Sequence, residues 1–185
     1  MSRIGDLPIV IPVSVTVEVN GHLVTVSGPK GNLELKYAPA VKVEVLDGKV
    51  IVKRKNDLKR SKALHGLTRS LIANMIAGAI EGWSKNLELV GVGFRAEVNS
   101  NKLVLNVGFS HPVEIEAPAG INFEVSDNTK IKITGSDKQL VGQIAANIKK
   151  IKPPDVYKGK GIRFEGEYIR KKAGKSAKVG VAGAK

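Results

Sequence analysis

From Ile9 to Val52 the chain reads as a series of short runs in which apolar and polar residues alternate. Val13, Val15 and Val17 alternate with Ser14 and Thr16, and Val41, Val43 and Val45 alternate with Lys42 and Glu44. A period of two puts one set of side chains on one face of an extended chain, so these runs predict half-buried strands. Turn signals separate them: Asn20-Gly21, Gly28-Pro29-Lys30-Gly31-Asn32 and Asp47-Gly48. Asn-Gly and Asp-Gly suit a type I′ turn, whose two central residues both need positive φ. Residues 22–27, 33–35 and 50–52 then read as return strands. After Asn56-Asp57, a candidate helix cap, the period changes. Leu64, Leu67, Leu71, Met75 and Ala79 recur at i, i+3, i+4 spacing, which predicts an amphipathic helix of roughly 20 residues ending near Gly82. Lys59, Arg60, Lys62 and Arg69 fall mostly off that stripe. They read first as a solvated face, with an RNA contact as the alternative.

The series restarts near Leu87. At an offset of 80, Leu23 returns as Leu103, Gly28 as Gly108, and Val41, Val43 and Val45 as Ile121, Phe123 and Val125. Leu33-Glu34-Leu35 returns as Val113-Glu114-Ile115, and the turn Asp47-Gly48 as Asp127-Asn128. A second helix follows, with Asp137 as its cap and Leu140, Val141, Ile144, Ala145 and Ile148 on one face. Repetition of turn, strand and helix in one order predicts duplication. The fold class is α+β: two tandem small domains, 1–82 and 83–152, each an antiparallel-rich sheet packed against one main helix. A basic C-terminal segment, 153–185, completes the chain.

Composition narrows the functional classes. Hydrophobic residues make up 42% and aromatics only 4%, so the cores are aliphatic. Cysteine is absent, which excludes disulfides and thiolate metal sites. No run approaches the ~20 apolar residues of a membrane helix, and the first residues lack the apolar core of a signal peptide. A soluble, cytoplasmic protein is expected.

Charge changes the picture more. From Lys149 to Lys185 there are 12 Lys or Arg against three acids, a net of +9 out of +13 for the whole chain. Lys and Arg that displace counterions from phosphates gain binding free energy, so the partner indicated is a polyanion. Tyr157, Ile162, Phe164, Tyr168 and Ile169, with Pro153-Pro154, interleave these charges. A solvated tail has no use for such residues, so the segment is expected to be ordered. Gly159 and Gly161 would let the backbone approach a phosphate with free N–H groups. Lys158, Lys160 and Arg163 would supply charge, and Tyr157 would stack on a base or sugar. The alternative is a basic linker that packs Tyr157 and Phe164 on the second domain. Both are expected in part, with aromatics packed and cations outward.

Catalytic signals are poor. His22, His65 and His111 are isolated, without metal-ligand spacing, and His65 is expected to cap or pack. No nucleophile elbow occurs. Gly91-Val92-Gly93-Phe94-Arg95-Ala96 matches a dinucleotide fingerprint, but the chain continues as an alternating strand where that chemistry needs a helix. Its glycines are expected to make a bulge or a close backbone approach. Gly174-Lys175-Ser176 fails as a phosphate loop because Ile169 stands where glycine is required. No enzyme activity, cofactor, metal or small-molecule substrate is expected.

Several stretches carry a family resemblance. They are Arg3-Ile4-Gly5 with Pro8-Ile9-Val10-Ile11-Pro12, His65-Gly66-Leu67-Thr68-Arg69-Ser70-Leu71, Leu89-Val90 with the glycine pattern just quoted, Gly108-Phe109-Ser110-His111-Pro112, Gly135-Ser136-Asp137-Lys138-Gln139, and above all Pro153-Pro154-Asp155-Val156-Tyr157-Lys158-Gly159-Lys160-Gly161-Ile162-Arg163-Phe164. In this order they resemble large ribosomal subunit protein six, the bacterial L-six family. Val156 replaces a common proline, Phe164 a common tyrosine and Asp6 a usual basic residue; Phe164 therefore brings no hydroxyl to an RNA contact. The resemblance implies a ribonucleoprotein component of the large subunit that supports translation and binds 23S-type rRNA, without catalysis. It implies rRNA contacts at Gly91, Gly93, Phe94, Arg95, Ser110, His111 and Lys138. It extends them to Lys149, Lys152, Pro153, Tyr157, Lys158, Gly159, Lys160, Gly161, Arg163, Arg170, Lys171, Lys172 and Lys175. It also implies neighbouring ribosomal proteins at the stalk base, and proximity to the sarcin–ricin loop and the translation GTPases. A free-standing RNA chaperone is the runner-up.

Overall fold

The computed structural model describes residues 4–175; Arg3 and the end of the basic segment beyond Lys175 lie outside them. Contacts divide the chain into two compact units. The first runs to Trp83 and includes Gly135–Val141; the second comprises Ser84–Thr134 and the chain from Gly142 onward.

In the first unit the strands are β1 (Ile9–Val10), β2 (Thr16–Asn20), β3 (Leu23–Gly28), β4 (Gly31–Lys36), β5 (Val41–Leu46) and β6 (Lys49–Arg54), followed by helix α1 (Lys59–Ile80). They form two antiparallel sheets, ordered β1-β6-β5 and β2-β3-β4. The inward residues Val24, Val26, Val41, Val43, Val50 and Val52 meet Ile72, Ile76 and Ala79 of α1 in one core. The alternation therefore reports the buried face correctly, except that Val45 at the end of β5 is 40% exposed and Val13 lies outside any strand. Val13 is fully exposed, because a turn in which Val15 N–H donates to Pro12 O delays the strand to Thr16. Asp47 and Gly48 both take positive φ, as a type I′ turn requires. The first hairpin turns one residue later than expected. Asn20 pairs with Leu23, so Gly21 and His22 are the central residues, and only Gly21 has positive φ.

Helix α1 departs from expectation at its start and on its face. Its N-cap residue is Leu58, with no side-chain cap. Asn56 instead accepts a hydrogen bond from Ser61 Oγ, and Asp57 holds Arg54 Nε at 2.6 Å. The buried face is Ser61, His65, Thr68, Ile72, Ile76 and Ala79, whereas Leu67 is 52% exposed. Polar residues took inward positions that an apolar count assigns to leucines. His65 Nε2 lies 2.8 Å from Val52 O, Ser61 Oγ donates to Asn56 Oδ1, and no buried side-chain N or O among the described residues is unsatisfied. The helix ends as expected, with Gly82 at φ +80° and its N–H on Gly78 O.

The second repeat follows the same plan with β7 (Trp83–Val90), β8 (Arg95–Asn99), β9 (Lys102–Asn106), β10 (Val113–Glu116), β11 (Ile121–Ser126), β12 (Lys130–Gly135), helix α2 (Lys138–Ile151) and β13 (Gly161–Phe164), the start of α2 belonging to the first unit. One sheet is β8-β9-β10; the other is β11-β12-β7-β13. With β13 set aside, these are the strand orders of the first unit, element for element. Asp127 and Asn128 repeat the positive φ of Asp47 and Gly48. Asp137 caps α2 as expected, its Oδ1 accepting the Gln139 N–H at 2.8 Å, and Val141, Ile144, Ala145 and Ile148 are buried. The addition is β13, antiparallel to β7 with Ile162 opposite Leu89 and wholly buried. Part of the basic segment is thus a strand of the second sheet.

Candidate nucleic-acid interface

The last turn of α2 carries Lys149 and Lys150, where cations complement the helix dipole. The chain leaves through Pro153-Pro154 and closes a loop before β13. Asp155 organises that loop. Its N–H donates to Lys160 O, its carbonyl accepts the Gly159 N–H, both at 2.8 Å, and its Oδ2 accepts the Lys158 N–H at 3.0 Å. Donation from Lys158 and then Tyr157 holds the Asp155 carboxyl below its ordinary range. Lys152 O accepts the Ile162 N–H, and Val156 O accepts the Lys172 N–H, so both ends of the loop are tied down.

The two glycines serve this closure. The Gly159 N–H is used internally. A Cβ on Gly161 would lie 2.6 Å from Pro154 Cα and 2.7 Å from Pro153 O, and its φ of +147° disfavours any side chain. Glycine at 161 is required by the prolines that cross it.

The expected cations divide into two groups. Lys158, Lys160, Arg170, Lys171, Lys172 and Lys175 are exposed and form no ion pair among the described residues. Arg163 is turned inward: its Nη2 and Nε lie 2.9 and 3.1 Å from Glu88 Oε2 across the β7–β13 pair. Lys149 Nζ sits 2.6 and 2.7 Å from the two oxygens of Glu167 and 4.8 Å above the Phe164 ring. That ammonium and the Phe164 N–H hold the Glu167 carboxyl below its ordinary range. Phe164 packs as expected. Tyr157 does not: it is 57% exposed, beside Lys158 on the loop.

The other expected residues fall on neighbouring loops. A Cβ on Gly91 would meet the Phe94 ring at 2.9 Å, Gly93 has φ +78°, and Arg95 opens strand β8. The close approach is present, and a helix is not. Lys152 Nζ lies 4.9 Å from the Phe109 ring, which stacks on His111 at 6.5 Å and 21°. Ser110 Oγ is 3.4 Å from His111 Nδ1. Phe109 itself is an aromatic set beyond the strand, after Gly108 at φ +78°, and it is 44% exposed. Lys138 is held elsewhere, within the first unit, by Asn74 Oδ1 at 3.1 Å and the Trp83 ring at 4.3 Å. Among the described residues no His, Asp or Glu group could hold a metal, and no helix is long and apolar enough to cross a membrane.

The profile of the family described as Ribosomal protein L6 matches residues 11–82 and 90–165. The chain belongs to the ribosomal protein L6 family. The large ribosomal subunit protein uL6 of Halalkalibacterium halodurans is 56% identical over 178 residues, 96% of this chain and all of that protein. That of Dictyoglomus turgidum is 54% identical over 179 residues, 96% of this chain and 99% of its own. The uL6 of Listeria monocytogenes is 51% identical over 178 residues, 96% of this chain and all of its own. The two matched stretches correspond to the two repeats. The second runs to residue 165, so the loop after α2 and strand β13 belong to the L6 family pattern.

Proposed function

We propose that this chain is a structural constituent of the large ribosomal subunit, and that it binds 23S-type rRNA through the loop at 152–160 and the surface around it. The carrying observation is that loop: hydrogen-bonded closed, it presents Lys158, Lys160 and Tyr157 outward with no carboxylate partner among the described residues for either lysine. An ordered loop gives up little conformational freedom on binding, so its phosphate contacts carry over into affinity. Lys171 and Lys172 continue the charge, and Tyr157, with Phe109 and His111, offers ring faces to unpaired bases. Named relatives of nearly equal length support the assignment to the large subunit. The role is architectural and cytoplasmic, at the base of the stalk near the sarcin–ricin loop, with neighbouring proteins there and translation GTPases acting close by. Sedimentation tests it. The chain is expected to travel with the large subunit through a high-salt wash; release into the unbound fraction would mark a free RNA-binding protein instead.

A further inference from the structure

We infer that the first unit carries its own RNA-backbone contact, at the segment joining β6 to α1, in addition to the loop of the second unit. Charge distribution is the first observation. Residues 53–62 hold six Lys or Arg and one acid, a net of +5, and +5 is the net charge of the entire first unit. Outside those ten residues the first unit is neutral. The second unit has the same design, its basic segment from Lys149 standing on a body of net −1.

The second observation is pairing. Within this segment Lys53 is held by Glu44 at 2.7 Å and Arg54 by Asp57 at 2.6 Å. Lys55, Lys59, Arg60 and Lys62 are exposed and have no carboxylate partner among the described residues. Their position is also unfavourable for the free protein. Three of them occupy the start of α1, whose positive dipole end repels cations, and that turn has neither an acidic residue nor a side-chain cap. The fold does not need this arrangement. The corresponding start of α2 is Asp137-Lys138-Gln139, capped and neutral. Local rules broken without an internal compensation mark functional surfaces.

Phosphates fit this surface better than a protein partner does. Protein interfaces centre on buried aromatic and apolar anchors and are depleted in lysine. Here the exposed apolar side chain among the charges is Leu58, and there is no aromatic. Cations without an apolar centre suit the phosphodiester backbone.

The test uses the full chain and large-subunit rRNA, with log affinity measured against log salt. One variant is Lys55→Gln/Lys59→Gln/Arg60→Gln/Lys62→Gln; another is Lys158→Gln/Lys160→Gln; a third combines them. The first-unit variant is expected to lower the slope by about 3, at ~0.7–0.9 per contact, with a melting temperature unchanged or raised. The combined variant should show the sum. An unchanged slope in the first-unit variant overturns the inference, and does so in favour of an acidic protein partner if that variant is also lost from the subunit at the wash. This inference rests on the proposed RNA binding, and the two failures are distinct: if that reading is wrong, the loop variant is flat as well.

Discussion

The two repeats close the same sheet edge in different ways. In the first unit the edge strand is β1, two residues long. Ile11 N–H donates inward to Gly48 O, so the alternation turns the backbones of Pro8, Val10 and Pro12 outward. Two of those three have no N–H to offer, and a short edge flanked by prolines resists pairing with other chains. In the second unit the counterpart β7 is eight residues long, and β13 covers its edge. The body was copied; the edge was not. What covers the second edge also ties a basic loop to a rigid sheet, which turns a charged tail into a shaped surface.

Gly161→Val should break the comparison most severely. It places a side chain at φ +147° and against the Pro153-Pro154 backbone, which should cost about 3 kcal/mol or more and detach β13. Thermal melting would show it, and wild-type melting would mean that β13 is not what closes this edge. Glu88→Ala removes the partner of a half-buried guanidinium. A loss of about 1 kcal/mol is expected, with the salt dependence of RNA binding unchanged; a shift in that dependence would give Arg163 a direct RNA role.

Asp155→Ala sharpens the difference between charge and shape. It removes an acid from the most basic segment, yet RNA binding should weaken by about ten-fold, because the loop loses its organiser. Asp155→Asn, which still accepts the Lys158 N–H, should bind nearly as wild type. Tighter binding by the alanine variant would refute a positioning role. The pH dependence has a definite sign. The carboxyl is lowered in the folded chain, so its contribution is complete above the ordinary value of 3.8 and is lost as pH falls through the lower folded value. Backbone amide shifts at Lys158, followed by NMR, should hold from neutrality to the ordinary carboxylate range and move only below it. The smallest effect belongs to Pro8→Thr/Pro12→Thr: stability within ~0.5 kcal/mol and concentration-dependent self-association in sedimentation. A strictly monomeric variant would show that the shortness of β1 alone protects the edge.

Much of the body was legible in the sequence. Strand faces follow from a period of two, and the repeated positive-φ turns at Asp47-Gly48 and Asp127-Asn128 gave the duplication away. The face of α1 was not legible, since His65 and Ser61 are buried where Val52 O and Asn56, from outside the helix, meet them. Nor was the division of the cations. Arg163 meets Glu88 from 75 residues away, and Lys149 meets Glu167 only once the chain has turned back through β13. Spacing alone reports that a segment is basic; pairing across the fold decides which of its charges stay available.

That division is the central claim, and the salt dependence of binding to large-subunit rRNA tests it most directly. Lys158→Ala/Lys160→Ala should reduce the slope by about 1.4–1.8 at unchanged melting temperature, whereas Arg163→Ala should lower the melting temperature at unchanged slope. Equal slopes for the lysine variant and the wild type would contradict it.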